Sequence, residues 1–157
     1  LPIYRVKSLD ELPPFDDYDI TKGRTYKYFK GDVLYPFGYG LSYSSFKYSD
    51  LQVKDGAGEV TVSFLLKNTG KRNGDEVAQV YVRIPDTGGI VPLKELKGFR
   101  RVPLKSGESR RVEIRLSKEQ LRYWDVEKGQ FVVPKGAFDI MVGASSKDIR
   151  LQTVIDL

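Results

Sequence analysis

Apolar residues occupy at least every second position of the stretch Val60-Thr-Val-Ser-Phe-Leu-Leu66, which is followed by the turn-forming run Asn68-Thr-Gly70. Successive side chains of a β-strand point to opposite faces of a sheet, so this alternation predicts a strand with one buried face and one solvated face. The same period of two, in clearer or weaker form, predicts further strands at residues 46–51, 80–84, 94–102, 112–116, 130–133, 138–142 and 149–155.

Residues that favour turns stand at the breaks between these segments, as in Asp55-Gly56, Lys105-Ser-Gly107 and Lys128-Gly129. About seven or eight short strands separated by frequent turns are typical of two antiparallel sheets packed face to face. The run Ser117-Lys-Glu-Gln-Leu121 predicts a single helical turn with Ser117 as its N-cap. The sequence therefore predicts an all-β fold, an antiparallel two-sheet sandwich.

The residues before the first strand have a different character. Leu12-Pro-Pro-Phe15 is expected to be extended, because each proline disfavours helical backbone angles in the residue before it. The segment has no apolar face of its own to bury, so its apolar residues are interpreted as contacts meant for a neighbour. We expect residues 1–43 to be an extended connector and residues 44–157 to be the sandwich, together forming the tail of a longer polypeptide.

Composition excludes several classes of site. The 157 residues include no cysteine and no histidine, which excludes disulfides, zinc sites of the usual ligand types and histidine-based catalytic triads. We expect no cofactor. No apolar run approaches the ~20 residues that span a bilayer, so no membrane partner is predicted.

The net charge of +5 raises the question of nucleic-acid binding. Nucleic-acid binders concentrate their positive charge on one stripe or one helix. Here the basic residues alternate with acidic and apolar ones, as in Arg111-Val-Glu-Ile-Arg115, which is typical of a solvated strand face. We therefore predict no nucleic-acid partner.

The acidic residues do not form a convincing catalytic pair. Glycoside hydrolysis needs two carboxylates about 5 to 9.5 Å apart on either side of the scissile bond. Adjacent residues of an extended chain, as in Asp16-Asp17 and Asp75-Glu76, point to opposite sides. The single Asp86-Thr-Gly-Gly89 motif is interpreted as a β-turn, because an aspartic-protease site needs two such carboxylates. We expect no catalytic residue in this chain.

A dense group of aromatic residues lies between the connector and the first strand, around Tyr35-Pro-Phe-Gly-Tyr-Gly-Leu-Ser-Tyr43. The group is interpreted either as a carbohydrate-binding platform or as an interdomain joint that attaches the connector to the sandwich. Gly38 and Gly40 favour the joint, because glycine lets backbones approach closely. The candidate joint residues are Tyr26, Tyr28, Phe29, Tyr35, Phe37, Tyr39 and Tyr43.

The only tryptophan of the chain, Trp124, lies in the run Arg122-Tyr-Trp-Asp125. Its ring is a candidate for stacking on a sugar if it is exposed, because sugars stack on aromatic faces. The alternative is a core residue of an edge strand. The sequence favours the core interpretation, and carbohydrate stacking is kept as the second possibility.

Several blocks of the chain resemble, in order, the C-terminal region of the family 3 glycoside hydrolases. Gly23-Arg-Thr-Tyr-Lys-Tyr-Phe29 and Leu34-Tyr-Pro-Phe-Gly-Tyr-Gly-Leu-Ser-Tyr43 look like the link from the family's α/β-sandwich domain into its fibronectin III-like domain. Pro92-Leu-Lys-Glu-Leu-Lys-Gly-Phe99 and Gly136-Ala-Phe-Asp-Ile-Met-Val-Gly143 resemble strands of that domain. The resemblance implies an immunoglobulin-like or fibronectin III-like sandwich with an extended N-terminal connector.

The resemblance also implies a role. Members of this family hydrolyse terminal non-reducing β-D-glucosyl, β-xylosyl or related residues with retention, using a nucleophile on a barrel domain and an acid/base on the barrel's partner domain. Neither catalytic segment is in this sequence, so the barrel and the α/β-sandwich domain of the same polypeptide are the expected partners. The expected function is that of a non-catalytic, structural accessory domain. A polysaccharide-binding or cell-wall-binding module and a freestanding adhesion-type sandwich are the alternatives.

Overall fold

The computed structural model describes residues 5–157. Within this range the chain consists of β-strands joined by turns and loops, with three short 3₁₀ turns at Leu9–Glu11, Ile20–Lys22 and Lys118–Leu121. The strands are β1 (Arg5–Val6), β2 (Val33–Tyr35), β3 (Phe46–Asp55), β4 (Glu59–Asn68), β5 (Gly74–Arg83), β6 (Glu95–Leu104), β7 (Ser109–Ser117), β8 (Tyr123–Asp125), β9 (Gln130–Val132), β10 (Ala137–Gly143) and β11 (Ile149–Asp156).

The long strands form two antiparallel sheets. One sheet has four strands in the order β11-β10-β5-β6, and the other has three strands in the order β3-β4-β7. Two short ribbons, β1-β2 and β8-β9, stand apart from the two sheets. The prediction of an all-β, antiparallel two-sheet sandwich is confirmed.

The core lies between the two sheets and follows the period of two. On β4 the inward residues Val60, Val62, Phe64 and Leu66 are completely buried. Inward residues of β5, β7 and β10 complete the same apolar cluster. Fully burying an aliphatic or aromatic side chain contributes roughly 1.5–3 kcal/mol, so these alternating residues are the main source of stability.

Strand β5 departs from the expected pattern of one buried and one solvated face. Its residues 78–82 are buried on both faces. Gln79 and Tyr81 point away from the core, yet they are 4% and 0% exposed, respectively. Their cover comes from residues of the connector, described below. The solvated-face interpretation of β5 is therefore wrong, and the outer face of the four-stranded sheet is partly an interior surface.

Several local predictions are confirmed and others are incomplete. Ser117 caps the turn at Lys118–Leu121, since its hydroxyl accepts a hydrogen bond from the amide of Glu119 at 3.2 Å. The chain after the two prolines turns instead of staying extended, because the amide of Asp17 donates to the carbonyl of Pro14 at 3.0 Å. The ribbon β1-β2 and the strand β8 have no clear period in the sequence.

Candidate functional site, an aromatic joint

Tyr26 attaches the connector to the outer face of the four-stranded sheet. Its ring stacks on Phe37, with ring centroids 4.2 Å apart and the planes 5° from parallel. The same ring meets Tyr81 of β5 edge to face at 6.1 Å. Its hydroxyl oxygen accepts a hydrogen bond from the amide of Leu96 on β6 at 2.9 Å. One side chain of the connector therefore contacts both strands of the β5-β6 pair.

The side chain of Gln79 is the polar centre of the joint. Its amide nitrogen donates to the carbonyls of Gly38, at 3.0 Å, and Ala144, at 2.6 Å. Its amide oxygen accepts a hydrogen bond from the Tyr81 hydroxyl at 2.5 Å. Burial raises the pKa of Tyr81 well above its usual value, which keeps the hydroxyl protonated as this donor. The buried amide is therefore satisfied on both its nitrogen and its oxygen.

The two glycines of the joint have different roles. Gly38 has a φ of +81°, and a Cβ atom at this position would lie 2.1 Å from Oε1 of Gln79. Only glycine fits there, since it lacks the Cβ and adopts the left-handed conformation without strain. At Gly40 a Cβ would meet no atom within 4 Å. The prediction that both glycines allow close approach is correct for Gly38 and wrong for Gly40.

Backbone and ionic contacts hold the two flanks of the joint. The amide of Ser146 donates to the carbonyl of Phe37 at 2.9 Å, and the amide of Leu93 donates to the carbonyl of Lys27 at 2.7 Å. The ammonium of Lys27 pairs with the carboxylate of Glu95 on β6. Burial pushes the pKa of Glu95 upward, but hydrogen bonds from Lys27 and Lys97 outweigh burial and hold that pKa below its usual value.

A second polar cluster ends the joint at the start of the sandwich. The Ser44 hydroxyl donates to Oδ1 of Asn68 at 2.6 Å. Asn68 is fully buried, and its amide nitrogen donates to the carbonyls of Arg72, at 2.8 Å, and Leu104, at 3.2 Å. The sequence predicted a turn at Asn68-Thr-Gly70, but no local pattern indicated that Asn68 would form a hydrogen bond with Ser44 at the end of the joint.

The structure brings some of the predicted joint residues together and leaves others apart. Tyr26 and Phe37 form the stacked centre, and Tyr28 and Phe29 are partly buried near it. Tyr35 and Tyr39 form a separate tilted pair, 5.4 Å apart, and remain about half exposed. Tyr43 is 93% exposed, so it adds nothing to the packing of the joint on the sheet.

An apolar groove lies beside the joint, between residues 37–42 and strands β5 and β6. Leu41, Val77 and Phe99 line this groove and are exposed, Leu41 and Phe99 for most of their area. Val77 and Phe99 were not among the predicted site residues. Phe99 is an apolar residue within the predicted strand at 94–102, so the sequence carried a signal for it, whereas Val77 precedes the predicted strand at 80–84 and was missed.

Trp124 is not a core residue. It is 51% exposed and meets Phe131 edge to face at 5.2 Å on the ribbon β8-β9. The guanidinium of Arg122 lies 5.5 Å from the centroid of the Phe131 ring. The core interpretation is wrong because this ribbon stands outside the two main sheets, where only Asp125 at the end of β8 and Leu121 just before the ribbon are buried.

Three of the carboxylates weighed as catalytic pairs, Asp17, Asp75 and Glu76, have structural partners. Asp17 pairs with Lys22 at 2.7 Å, Asp75 pairs with Arg101 at 2.5 Å, and Glu76 accepts a hydrogen bond from the Tyr48 hydroxyl at 2.7 Å. Asp86 accepts a hydrogen bond from the amide of Gly88 at 2.9 Å, as in a turn. Within residues 5–157 no group of three or more acidic residues is placed to hold a metal ion. Across that same range, no helix has the length and apolar character needed to cross a membrane.

Comparison with known proteins gives this architecture a family. Residues 76–146 match the fibronectin type III-like domain family. The chain is 41% identical over 154 residues to a xylan 1,4-β-xylosidase of Xylanibacter ruminicola, covering 94% of this chain and 17% of that protein.

Solved structures agree with the sequence relatives. A β-D-glucoside glucohydrolase of Trichoderma reesei has a TM-score of 0.87 and 32% identity, covering 98% of this chain and 26% of that chain. A GH3 β-glucosidase of Bifidobacterium adolescentis has a TM-score of 0.78 and 37% identity, covering 84% of this chain and 20% of that chain. The chain thus spans only about a fifth of the length of these proteins. The chain carries a fibronectin type III-like domain of the kind found in the glycoside hydrolase family 3 β-glucosidases and β-xylosidases.

Proposed function

We propose that this chain is a non-catalytic, structural accessory domain of a family 3 β-glycosidase that hydrolyses terminal non-reducing β-D-glucosyl or β-xylosyl residues. The observation that carries the proposal is the joint, a connector packed on the outer face of a sandwich and flanked by an uncovered apolar groove. The similarity to about a fifth of each of several β-glucosidases and a β-xylosidase supports the same conclusion.

The division of the chain follows the joint. We place the connector at residues 1–43 and the sandwich at residues 44–157. Ser44 supports this boundary, because its side chain bonds to the buried Asn68 and to the carbonyl of Arg72, two residues before the first long strand begins. The residues ahead of the boundary then carry the chain from the preceding α/β-sandwich domain.

The groove beside the joint is the proposed contact with that domain. Leu41, Val77 and Phe99 present apolar side chains to solvent on the same outer face that the connector partly covers. Together with the exposed rings of Tyr35, Tyr39 and Tyr43 they offer the apolar centre that a contact between domains needs. Contacts between domains of one chain bury ~600–1,500 Å².

The absence of catalysis is tested on the 157-residue chain itself. Incubation with aryl β-glucosides and aryl β-xylosides is expected to give no turnover, because Asp17, Asp75 and Glu76 are held in ion pairs and hydrogen bonds and each candidate pair includes at least one of them. Turnover that Asp17→Asn or Glu76→Gln abolishes would contradict the proposal. A contaminating glycosidase would itself give turnover, so a mock purification from cells that lack the chain is the control.

The exposed position of Trp124 favours a second candidate function, the binding of polysaccharide. The ribbon β8-β9 presents Trp124 and Phe131 to solvent, and Asp125 fixes its turn by accepting hydrogen bonds from the amide and ammonium of Lys128, at 3.0 and 2.7 Å. A rigid, exposed indole is a suitable surface for the apolar face of a sugar ring.

Affinity electrophoresis through gels that contain glucan or xylan tests this second function. Retardation of the wild-type chain that Trp124→Ala abolishes, and that Tyr43→Ala leaves unchanged, would support it. The Tyr43 variant is the control, because its ring is even more exposed than that of Trp124, 93% against 51%, but lies at the joint. Absence of retardation in both gels would exclude this function for the isolated chain.

A further inference from the structure

A separate cavity lies between the joint and two loops of the sandwich. Its volume is about 240 Å³. The loops are the one before β6 and the one between β10 and β11. Its walls include the aromatic residues Tyr26, Phe29 and Phe37, and three lysines also line it, Lys30, Lys94 and Lys147.

The charge in this cavity is unbalanced. None of its lining residues carries a carboxylate. The carboxylate nearest to Lys147 is that of Asp32, 3.8 Å away, which is three-quarters exposed and is shared with Lys7. Neither Lys30 nor Lys94 forms an ion pair with any residue of the range 5–157. Positive charge therefore collects at a cavity with aromatic walls, with Lys94 partly buried and Lys30 and Lys147 exposed at its edge.

Lys94 is the most enclosed of the three lysines. Within residues 5–157 its ammonium donates a single hydrogen bond, to the carbonyl of Ser146 at 2.9 Å. An ammonium has three N–H donors, so capacity for a further acceptor remains. Burial, with a smaller contribution from the positive charge of Lys147, lowers the pKa of Lys94. A partly dehydrated ammonium beside another positive charge is stabilised by an anion, which supplies both an acceptor and an opposite charge.

We propose that this cavity binds a small carboxylate carried on a ring, with the carboxylate between Lys94 and Lys147 and the ring against the aromatic wall. Uronic-acid sugars and aromatic acids share this chemistry. A neutral sugar would leave Lys94 without a counter-charge, so we expect selectivity for the acid. The cavity shares only Phe37 with the groove and lies apart from Trp124, and the proposal does not depend on the proposed accessory function.

The test is a titration of the 157-residue chain at low ionic strength, monitored by two-dimensional amide NMR. D-glucuronate and benzoate are the anionic probes, and D-glucose and benzyl alcohol are their neutral controls. We expect saturable shifts around Tyr26, Lys94 and Ser146 with an anionic probe and none with its neutral control. Lys94→Gln is expected to weaken binding about tenfold or more, since a charge-assisted hydrogen bond is lost.

Two further variants keep the test decisive. Lys147→Gln removes an exposed ammonium, so it is expected to weaken binding without affecting folding even if Lys94→Gln folds poorly. Lys67→Gln on β4 makes the same change of net charge outside the cavity and is expected to bind as the wild type does. Binding of glucuronate alone identifies an acidic sugar, and binding of benzoate alone identifies an aromatic acid. The proposal is overturned by unsaturable shifts with both anions, by equal affinity for glucose, or by equal losses in the Lys67 and Lys147 variants.

Discussion

At Gly38 the backbone has a φ of +81°, and a Cβ atom there would collide with the side chain of Gln79. Replacement by alanine is therefore expected to lower the free energy of unfolding by about 2 kcal/mol or more, from the left-handed conformation and the displaced amide together. Gly40→Ala is the matched control and is expected to be nearly neutral, because its Cβ meets no neighbour. Urea unfolding of the two variants measures the difference, and equal effects would contradict the assigned role of Gly38.

Glu95 gives the joint a dependence on pH. Its pKa lies below the usual value of 4.5 because Lys27 and Lys97 donate hydrogen bonds to it. A lowered pKa in the folded state adds stability that is fully present above the unfolded value and is lost as the pH falls through the folded value. The contribution of Glu95 should therefore be lost on acidification below about pH 4.5.

The variant Glu95→Gln tests this dependence. Near neutral pH it is expected to lose about 1 kcal/mol of stability, a modest value because both ion-pair partners are partly exposed. The loss relative to wild type should shrink as the pH falls, and urea unfolding at several pH values measures it. Glu127→Gln removes an exposed carboxylate from a turn, and it is the control for the loss of one negative charge. A loss independent of pH would show that the ion pairs of Glu95 do not stabilise the fold.

At the scale of elements, the period of two predicted the strands that form the sandwich. The segments at 46–51, 112–116, 138–142 and 149–155 all fall within the observed long strands β3, β7, β10 and β11. These strands were predictable because their buried residues alternate along the chain and need no knowledge of distant contacts.

The cover over β5 could not be predicted in this way. Gln79 and Tyr81 look like ordinary outward residues, and they become buried only because Phe37 and Gly38, more than 40 positions earlier in the chain, pack on them. The prediction that Trp124 is a core residue was wrong for the opposite reason. Its ribbon lies outside the two main sheets, and no local sequence pattern indicates this. The arrangement of distant segments therefore explains both the buried centre of the candidate site and the wrong prediction for Trp124.

The connector depends on Tyr26 for its attachment to the sheet. Tyr26→Ala removes the ring stacked on Phe37 and the acceptor for the Leu96 amide. For this partly buried side chain we expect a loss of about 2 kcal/mol in the free energy of unfolding. Limited trypsin digestion should then cleave faster after Lys27 and Lys30 while the sandwich stays intact. Tyr43→Ala serves as the control, and an unchanged cleavage pattern in Tyr26→Ala would contradict the attachment.

At the scale of the whole molecule, the exposed groove predicts different effects in two contexts. Phe99→Ser is expected to be nearly neutral in the 157-residue chain, because the ring is 67% exposed. In the proposed longer polypeptide, the same change should lower the unfolding temperature by several degrees, roughly 2–4 °C for each kcal/mol lost in a medium-sized domain. Val154→Ser, an exposed change on β11, is the control and is expected to be neutral in both.

We propose that the outer face around the joint contacts a neighbouring domain of the same polypeptide. Hydrogen–deuterium exchange of residues 37–42 tests it most directly, because this segment forms one wall of the groove and lies outside the strands. We expect these amides to exchange markedly more slowly in the longer polypeptide than in the 157-residue chain, while residues 105–108, in the turn between β6 and β7, exchange alike in both. Identical exchange of residues 37–42 in the two proteins would contradict it.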